Sequence, residues 1–289
     1  MPALNNLHAD FVLTISCADR KGIVAAVANS IVSQDCNIAE SAQYGDPDTG
    51  RFFMRIAFAA PAGMTKDRFE NGFRPVATAY DFDWTVHDLA RKPRVMILVS
   101  RMGHCLNDLL YRHSIGNLPM DLVSVVSNHE DWRKRVEHEG LPYHHLPITK
   151  ETKDEQEAAL EALVEEQQVD LLILARYMQV LSDGLSRRLY GRVINIHHSF
   201  LPSFKGAKPY HRAHARGVKL IGATAHYVTP DLDEGPIIEQ DVGRVDHSMS
   251  ISDFIAMGRD IESQVLARAV KYHLEHRILL NGDRTVVFR

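Results

Sequence analysis

The spacing of hydrophobic and polar positions changes character about a third of the way along the 289-residue chain. Before that point apolar residues alternate with polar ones or recur at helical spacing. "FVLTISC" (11–17) carries Phe11, Leu13 and Ile15 on one face of a strand. Asp19 is placed to cap the next segment, "GIVAAVANSIVSQ", whose Val24, Val27, Ala28 and Ile31 form the inward stripe of a helix. "NIAESAQYGDPDTGRFFMRIAFAA" reads as two strands joined at Asp46-Pro47-Asp48-Thr49-Gly50, a run of turn-forming residues. "TKDRFENGFRPVATAYDF" is a second helix, interrupted or kinked near Pro75, and "DWTVHDL" is a closing strand. The order βαββαβ is the ferredoxin-like arrangement.

At "ARKPR" (90–94) the pattern lapses, which divides the chain into a domain over 1–90 and another over 91–289. Beyond it "RVMILVS", "DLVSVVS", "VDLLILA" and "RVINI" are nearly unbroken apolar runs, as parallel strands covered on both faces require. Amphipathic segments separate them. "CLNDLLYRH" turns Leu106, Leu109 and Leu110 inward, and "KDEQEAALEALVEEQQ" turns in Leu160, Leu163 and Val164. The fold class expected is therefore α/β, an N-terminal ferredoxin-like domain followed by an open, mostly parallel, doubly wound α/β domain.

A formal net charge of -4, with both signs interspersed, offers no footprint for nucleic acid or a membrane surface and favours a small-molecule partner. Three irregularly spaced cysteines, Cys17, Cys36 and Cys105, suit a reducing compartment, and "MPALNNLHADF" lacks the apolar core of a secretion signal. A cytoplasmic location is expected.

Residues 194–238 concentrate the chemistry, with five histidines among them. His197 and His198 are adjacent and point oppositely from an extended chain, which ill suits one metal ion. His211 and His214 are better spaced, yet no metal site is expected. An acid/base centre fits better. Asn195, at the end of an apolar strand, offers an amide donor for a developing oxyanion, and His197 projects to the same side. Asp233 precedes Gly235 and Pro236, whose backbone constraints shape the loop that carries it.

"NIHHSFLPSFKG" followed by "GATAHYVTPDLDEGPII" resembles the signature of the formyltetrahydrofolate-using transferase and hydrolase family. The resemblance implies that Asn195, His197 and Asp233 are catalytic. "ARYMQVLS" (175–182) is similar to that family's A-x-Y-M-x-x-L-S segment, which implies that Arg176, Tyr177, Met178, Gln179, Val180 and Leu181, together with His226, bind the substrate. "SNHED" (127–131) resembles a further family segment. Lys205 and Lys208 are candidates to steer a folate's glutamate tail, and Cys105 beside His104 is a minor candidate nucleophile.

The N-terminal "CADRKGIVAAVANSIVSQDCNIAES" resembles an ACT domain. That implies an amino-acid effector, glycine or methionine, near Asp19, Gly22 and Asn37, and a homo-oligomer. The pairing of the two modules points to the hydrolase branch, which converts 10-formyltetrahydrofolate to formate and tetrahydrofolate without a further cofactor, supplying formate for purine synthesis and balancing the one-carbon pool. The alternative is formyl transfer to an amine, as in glycinamide ribonucleotide transformylases. Those relatives hold the acceptor's phosphate on a Gly-[Ser/Thr]-Asn turn, where this chain reads "SRMGHCLNDLL", so water is the favoured acceptor. A sensor with a silent catalytic half is opposed by the intact Asn195, His197 and Asp233. His198 stands where the family carries proline, and the sequence assigns it no role.

Overall fold

The computed structural model describes residues 9–149, 151–201 and 209–289. Its first elements are β1 (Phe11–Ala18), α1 (Ile23–Val32), β2 (Asn37–Asp46), β3 (Arg51–Ala59), α2 (Lys66–Tyr80) and β4 (Asp83–Asp88). They build an antiparallel four-stranded sheet in the order β2-β3-β1-β4. Leu13, Ile15, Phe58, Phe69 and Phe73 fill the space between sheet and helices, with Phe58 and Phe69 stacked at 4.5 Å.

Two local expectations change. Asp19 does not cap α1, which starts after Gly22 with no side-chain cap, while the Asp19 backbone N–H donates to Gly50 O at 2.8 Å. The buried stripe is consequently Ile23, Val27 and Ile31, at i, i+4 and i+8, and Val24 is 40% exposed. α2 continues through Pro75, which faces outward where a freed carbonyl can reach water, while Phe69, Phe73 and Ala77 anchor the other side.

The second set comprises β5 (Arg94–Val99), α3 (His104–Ser114), β6 (Asp121–Ser127), α4 (Arg133–His138), β7 (Tyr143–His145), α5 (Lys153–Glu166), β8 (Leu171–Leu174), α6 (Asp183–Arg188) and β9 (Val193–His197), then α7 (Pro209–Arg216), β10 (Leu220–Tyr227), β11 (Ile237–Arg244) and α8 (Ile251–Leu274). The seven-stranded sheet runs β11-β10-β9-β8-β5-β6-β7, parallel from β9 to β7 and antiparallel across β9, β10 and β11. The chain leaves β5 towards β6 and returns on the other side as β8. That reversal opens a crevice beyond the carboxyl ends of β5 and β8, where open α/β sheets bind ligands. A capping box between Ser250 and Asp253 starts α8.

β12 (Ile278–Asn281) and β13 (Arg284–Val287) form a two-stranded pair. The chain's contacts define two compact units, one of residues 1–92 with 276–281 and 286–289, the other of 93–275 with 282–285. The division falls between residues 92 and 93, and residues 276–281 and 286–289 group with the first unit. The reason lies in β3. Phe52, Met54 and Ile56 face the helices, which leaves Phe53 and Arg55 on the opposite side, and both are buried. Leu279 and Phe288 cover Phe53, and the His276 carbonyl accepts from Arg55 Nε at 3.1 Å. Asn281 donates to Asp46 Oδ2 at 2.7 Å, and Arg277 pairs with Glu40 at 3.1 Å. All three cysteines are free and buried. No helix among the described residues is long and apolar enough to cross a membrane.

Candidate active site

Asn195 lies opposite Leu174 of β8 and His226 of β10, and His197 lies two residues further on the same side of β9. A register shift between Ala225 and His226 re-aims the His226 ring. Asn195 Nδ2 is 3.2 Å from His226 Nε2, and His226 Nδ1 is 2.9 Å from the Tyr227 carbonyl. An amide nitrogen only donates and a carbonyl only accepts, so His226 carries its hydrogen on Nδ1 and accepts at Nε2. Burial lowers its pKa against the opposing pull of the Tyr227 carbonyl and Asp233, keeping the ring neutral. One Asn195 amide hydrogen is thereby held on His226, and the other has no acceptor among the described residues.

Asp233 sits in the loop between β10 and β11 with φ 58. Gly235 lets that loop fold back on the end of β10, because a Cβ there would lie 1.8 Å from the Tyr227 carbonyl oxygen. The fold-back brings Asp233 Oδ2 to 3.2 Å from His197 Nδ1 and Oδ1 to 3.7 Å from His226 Nε2. Burial alone would raise the Asp233 pKa. The hydrogen bond from His197, and the charge that ring carries when protonated, prevail and lower it. His197 Nε2 is buried with no hydrogen-bond partner among the described residues.

These groups face a cavity of about 630 Å³, and every residue expected at a catalytic or substrate-binding position lines it. Its volume suits a drug-sized ligand. The 175–182 segment leaves β8 across the crevice, pinned by Met178 N–H donating to Ser100 Oγ at 3.0 Å while Ser100 donates to Asn128 Oδ1 at 2.7 Å. Its residues divide by task. Tyr177 and Leu181 are buried in the core, the Tyr177 hydroxyl accepting from Gln156 at 2.9 Å, whereas Met178 and Val180 are 58% and 52% exposed on the cavity's lining. Lys205 and Lys208 lie outside the described residues.

A second polar cluster on the same cavity centres on a residue that the sequence pattern did not single out. Glu262 of α8 is 1% exposed, with His104 Nε2 at 2.8 Å, the Tyr210 hydroxyl at 2.5 Å and Arg176 Nε at 3.4 Å. Gly258 makes room for Tyr210, since a Cβ would come within 2.2 Å of its ring. Burial would raise the Glu262 carboxyl, but His104, Arg176 and Tyr210 hold it below its usual range. Arg176 Nη1 lies 2.5 Å from His198 Nδ1. The available signal was an acid inside an apolar stripe, because Phe254, Gly258, Glu262 and Leu266 recur every fourth residue.

His104, Cys105 and Glu262 bring three possible metal-ligand atoms within 4.8 Å of one another. The donor set fits a cation poorly. Both Glu262 oxygens are engaged, a guanidinium adjoins them, and burial followed by the Glu262 charge pushes the Cys105 thiol up, keeping it protonated. The same protonation removes Cys105 as a nucleophile.

In the first unit the expected effector residues do not converge within one chain. Asp19 follows the β1 end that pairs Ala18 with Arg51, close to Gly22, while Asn37 pairs with Ala59 at the other end of the sheet. The two levels are marked on β3 by Arg51 and Ala59, about eight residues of strand or about 27 Å apart.

The formyl transferase family matches residues 93–270. The formyltetrahydrofolate deformylase of Corynebacterium sp. (strain P-1) is 50% identical over 279 residues, covering 96% of this chain and 98% of that protein. The crystal structure of formyltetrahydrofolate deformylase from Burkholderia mallei ATCC 23344 has a TM-score of 0.93 and 53% identity, covering 98% of this chain and 100% of that one. Glycinamide ribonucleotide transformylase 1 from Symbiobacterium toebii is similar over only 68% of this chain, with 28% identity and a TM-score of 0.64. The deformylase match thus includes the first unit as well as the catalytic one, and this chain belongs to the formyltetrahydrofolate deformylase family.

Proposed function

We propose that the deformylase activity of this chain, hydrolysis of 10-formyltetrahydrofolate to formate and tetrahydrofolate, is carried by Asn195, His197 and Asp233 with no cofactor. Water attacks the formyl carbon and gives its proton to the Asp233–His197 pair. The second Asn195 amide hydrogen and His197 hold the charge that develops on the formyl oxygen. Collapse of the tetrahedral intermediate breaks the bond to folate N10, which leaves with the proton, and formate remains. Met178 and Val180 offer apolar contact to the pterin.

The observation that carries this reading is the meeting of a fixed amide donor, an imidazole and a lowered carboxylate at one cavity. The test is to incubate purified, metal-free protein with 10-formyltetrahydrofolate, with and without glycinamide ribonucleotide. Formate released without acceptor, and lost in Asp233→Asn, supports it. Formyl transfer that requires the acceptor refutes it in favour of a transformylase.

The same reading makes the first unit an ACT-type module that answers glycine or methionine, in a cytoplasmic enzyme without nucleic-acid or membrane partners. Unregulated deformylation would drain the one-carbon pool, which gives regulation a purpose. An effector touching Asp19, Gly22 and Asn37 together needs two copies of the chain, since one copy holds them at opposite ends of its sheet. A homo-oligomer follows, and a monomeric mass in solution scattering would remove it.

A further inference from the structure

His198, without a role in the reading above, lies between two groups that determine its chemistry. Its ring stacks on His197 at 4.9 Å with an interplanar angle of 17°. Its Nδ1 is 2.5 Å from Arg176 Nη1. A guanidinium nitrogen can only donate, so His198 Nδ1 accepts, and the neutral ring must carry its hydrogen on Nε2. Arg176 is itself held in place. Its Nε lies 3.4 Å from the buried Glu262, which His104 and Tyr210 fix in turn, and its backbone sits at φ 63, a conformation side-chain-bearing residues seldom adopt without support.

The Nε2 atoms of His197 and His198 are both buried without a hydrogen-bond partner among the described residues. Buried polar atoms in this condition point to a ligand. His198 lines the cavity that holds Asn195, His197 and Asp233, and its Nε2 is buried at that wall with no partner among the described residues.

We infer that His198 is a further catalytic residue, whose Nε2–H binds the oxygen of the attacking water, and that Arg176 and Glu262 are positioning residues that keep the hydrogen on that nitrogen. The inference rests on the roles given above to Asn195, His197 and Asp233. The water accepts from His198 with one lone pair, donates to the Asp233–His197 pair, and attacks the formyl carbon with its other lone pair.

The charged and titratable groups facing His198 are Arg176 after β8, His197 of β9, Tyr210 of α7, Asp233 after β10 and Glu262 of α8. Burial, then Arg176 and His197, push its pKa down to about 4 against Glu262 and Asp233, so the ring stays neutral through the working range of most enzymes.

Nitrogen-15 NMR of the histidine-labelled full chain reads the tautomer directly. His198 is expected with Nε2 protonated and Nδ1 bare at neutral pH, and in Arg176→Met the two tautomers are expected to mix. In steady-state kinetics His198→Ala is expected to lower kcat about 30-fold with KM little changed, and His198→Gln, whose amide nitrogen reaches the Nε2 position, to recover to within about fivefold. An Nδ1–H tautomer or an imidazolium at neutral pH overturns the proposal, as does kcat within about threefold of the parent in His198→Ala. If His198→Ala does not fold, the parent's NMR spectrum decides. An active Asp233→Asn variant sinks the reading of the catalytic trio, and leaves the His198 tautomer to be judged on its own spectrum.

Discussion

The two units bury different things. The first packs aromatic rings between its sheet and its helices, Phe58 on Phe69 and Phe69 on Phe73, so that side of its interior is a matter of volume and contact. The second places Glu262, Arg176, His197 and His226 around an open cavity, each less than a tenth exposed and each engaged by an opposite charge or a hydrogen-bond partner. Burying ionisable groups is costly unless they are satisfied, so four of them around one cavity need a reason beyond folding. The contrast separates the side chains that hold the molecule together from those that act.

The sharpest way to break the contrast is Asp233→Asn, which should cut turnover about 10²–10⁴-fold without lowering the melting temperature. A near-normal rate would remove the acid/base reading of the cavity. Phe69→Ala should do the reverse, destabilising the first unit by about 3–5 kcal/mol in denaturant titration. Formate release per folded molecule should survive it. Asn195→Ala should lower kcat about 10²–10³-fold, the cost of one oxyanion donor, with KM little altered.

Acidification separates the units more gently. Burial lowers His198 and His273 from 6.5 to about 4, in His198 with help from Arg176 and His197, and Asp170 opposes the shift in His273. Between those values the unfolded chain binds protons that the folded one refuses. The stability these rings confer on the second unit is complete above 6.5 and drains as pH falls towards about 4. In the first unit burial would raise Glu40, but Arg55 and Arg277 prevail and lower it, so its contribution is lost only below 4.5, as the carboxylate is protonated. Hydrogen exchange followed by segment should therefore show the second unit loosening first on acidification. The smallest effect is expected of Cys105→Ser, whose kcat should stay within about threefold because its thiol is not ionised.

Much of this was readable from local pattern. Short apolar runs marked the parallel strands, and the two-residue step from Asn195 to His197 put both on one side of a strand end. What escaped were features made by distant segments. Glu262 reaches His104 and Arg176 only because α8, α3 and the end of β8 share one cavity, and no local spacing records that. Val24 was misplaced because the face shared by Val27 and Ile31 is completed by Ile23, four residues before Val27, which leaves Val24 turned about 100° away from it. The separation of Asp19 from Asn37 follows from strand register, which pairs residues far apart in sequence. The return of residues 276–281 and 286–289 to the first unit was equally hidden, since "ILLN" and "TVVF" look like any short strands.

That return also bears on the order in which the molecule is made. The first sheet is synthesised early, yet the residues that cover Phe53 and Arg55 are translated only after residues 93–275 of the second unit. At ribosomal speeds of about 5–20 residues per second, one face of the sheet waits some ten seconds or longer for its cover. During that interval Phe53 is an exposed aromatic on a nascent chain, and a chain released before residue 276 leaves it so permanently. Completion of the first unit is thereby a signal that residues 93–275 between its parts have been read.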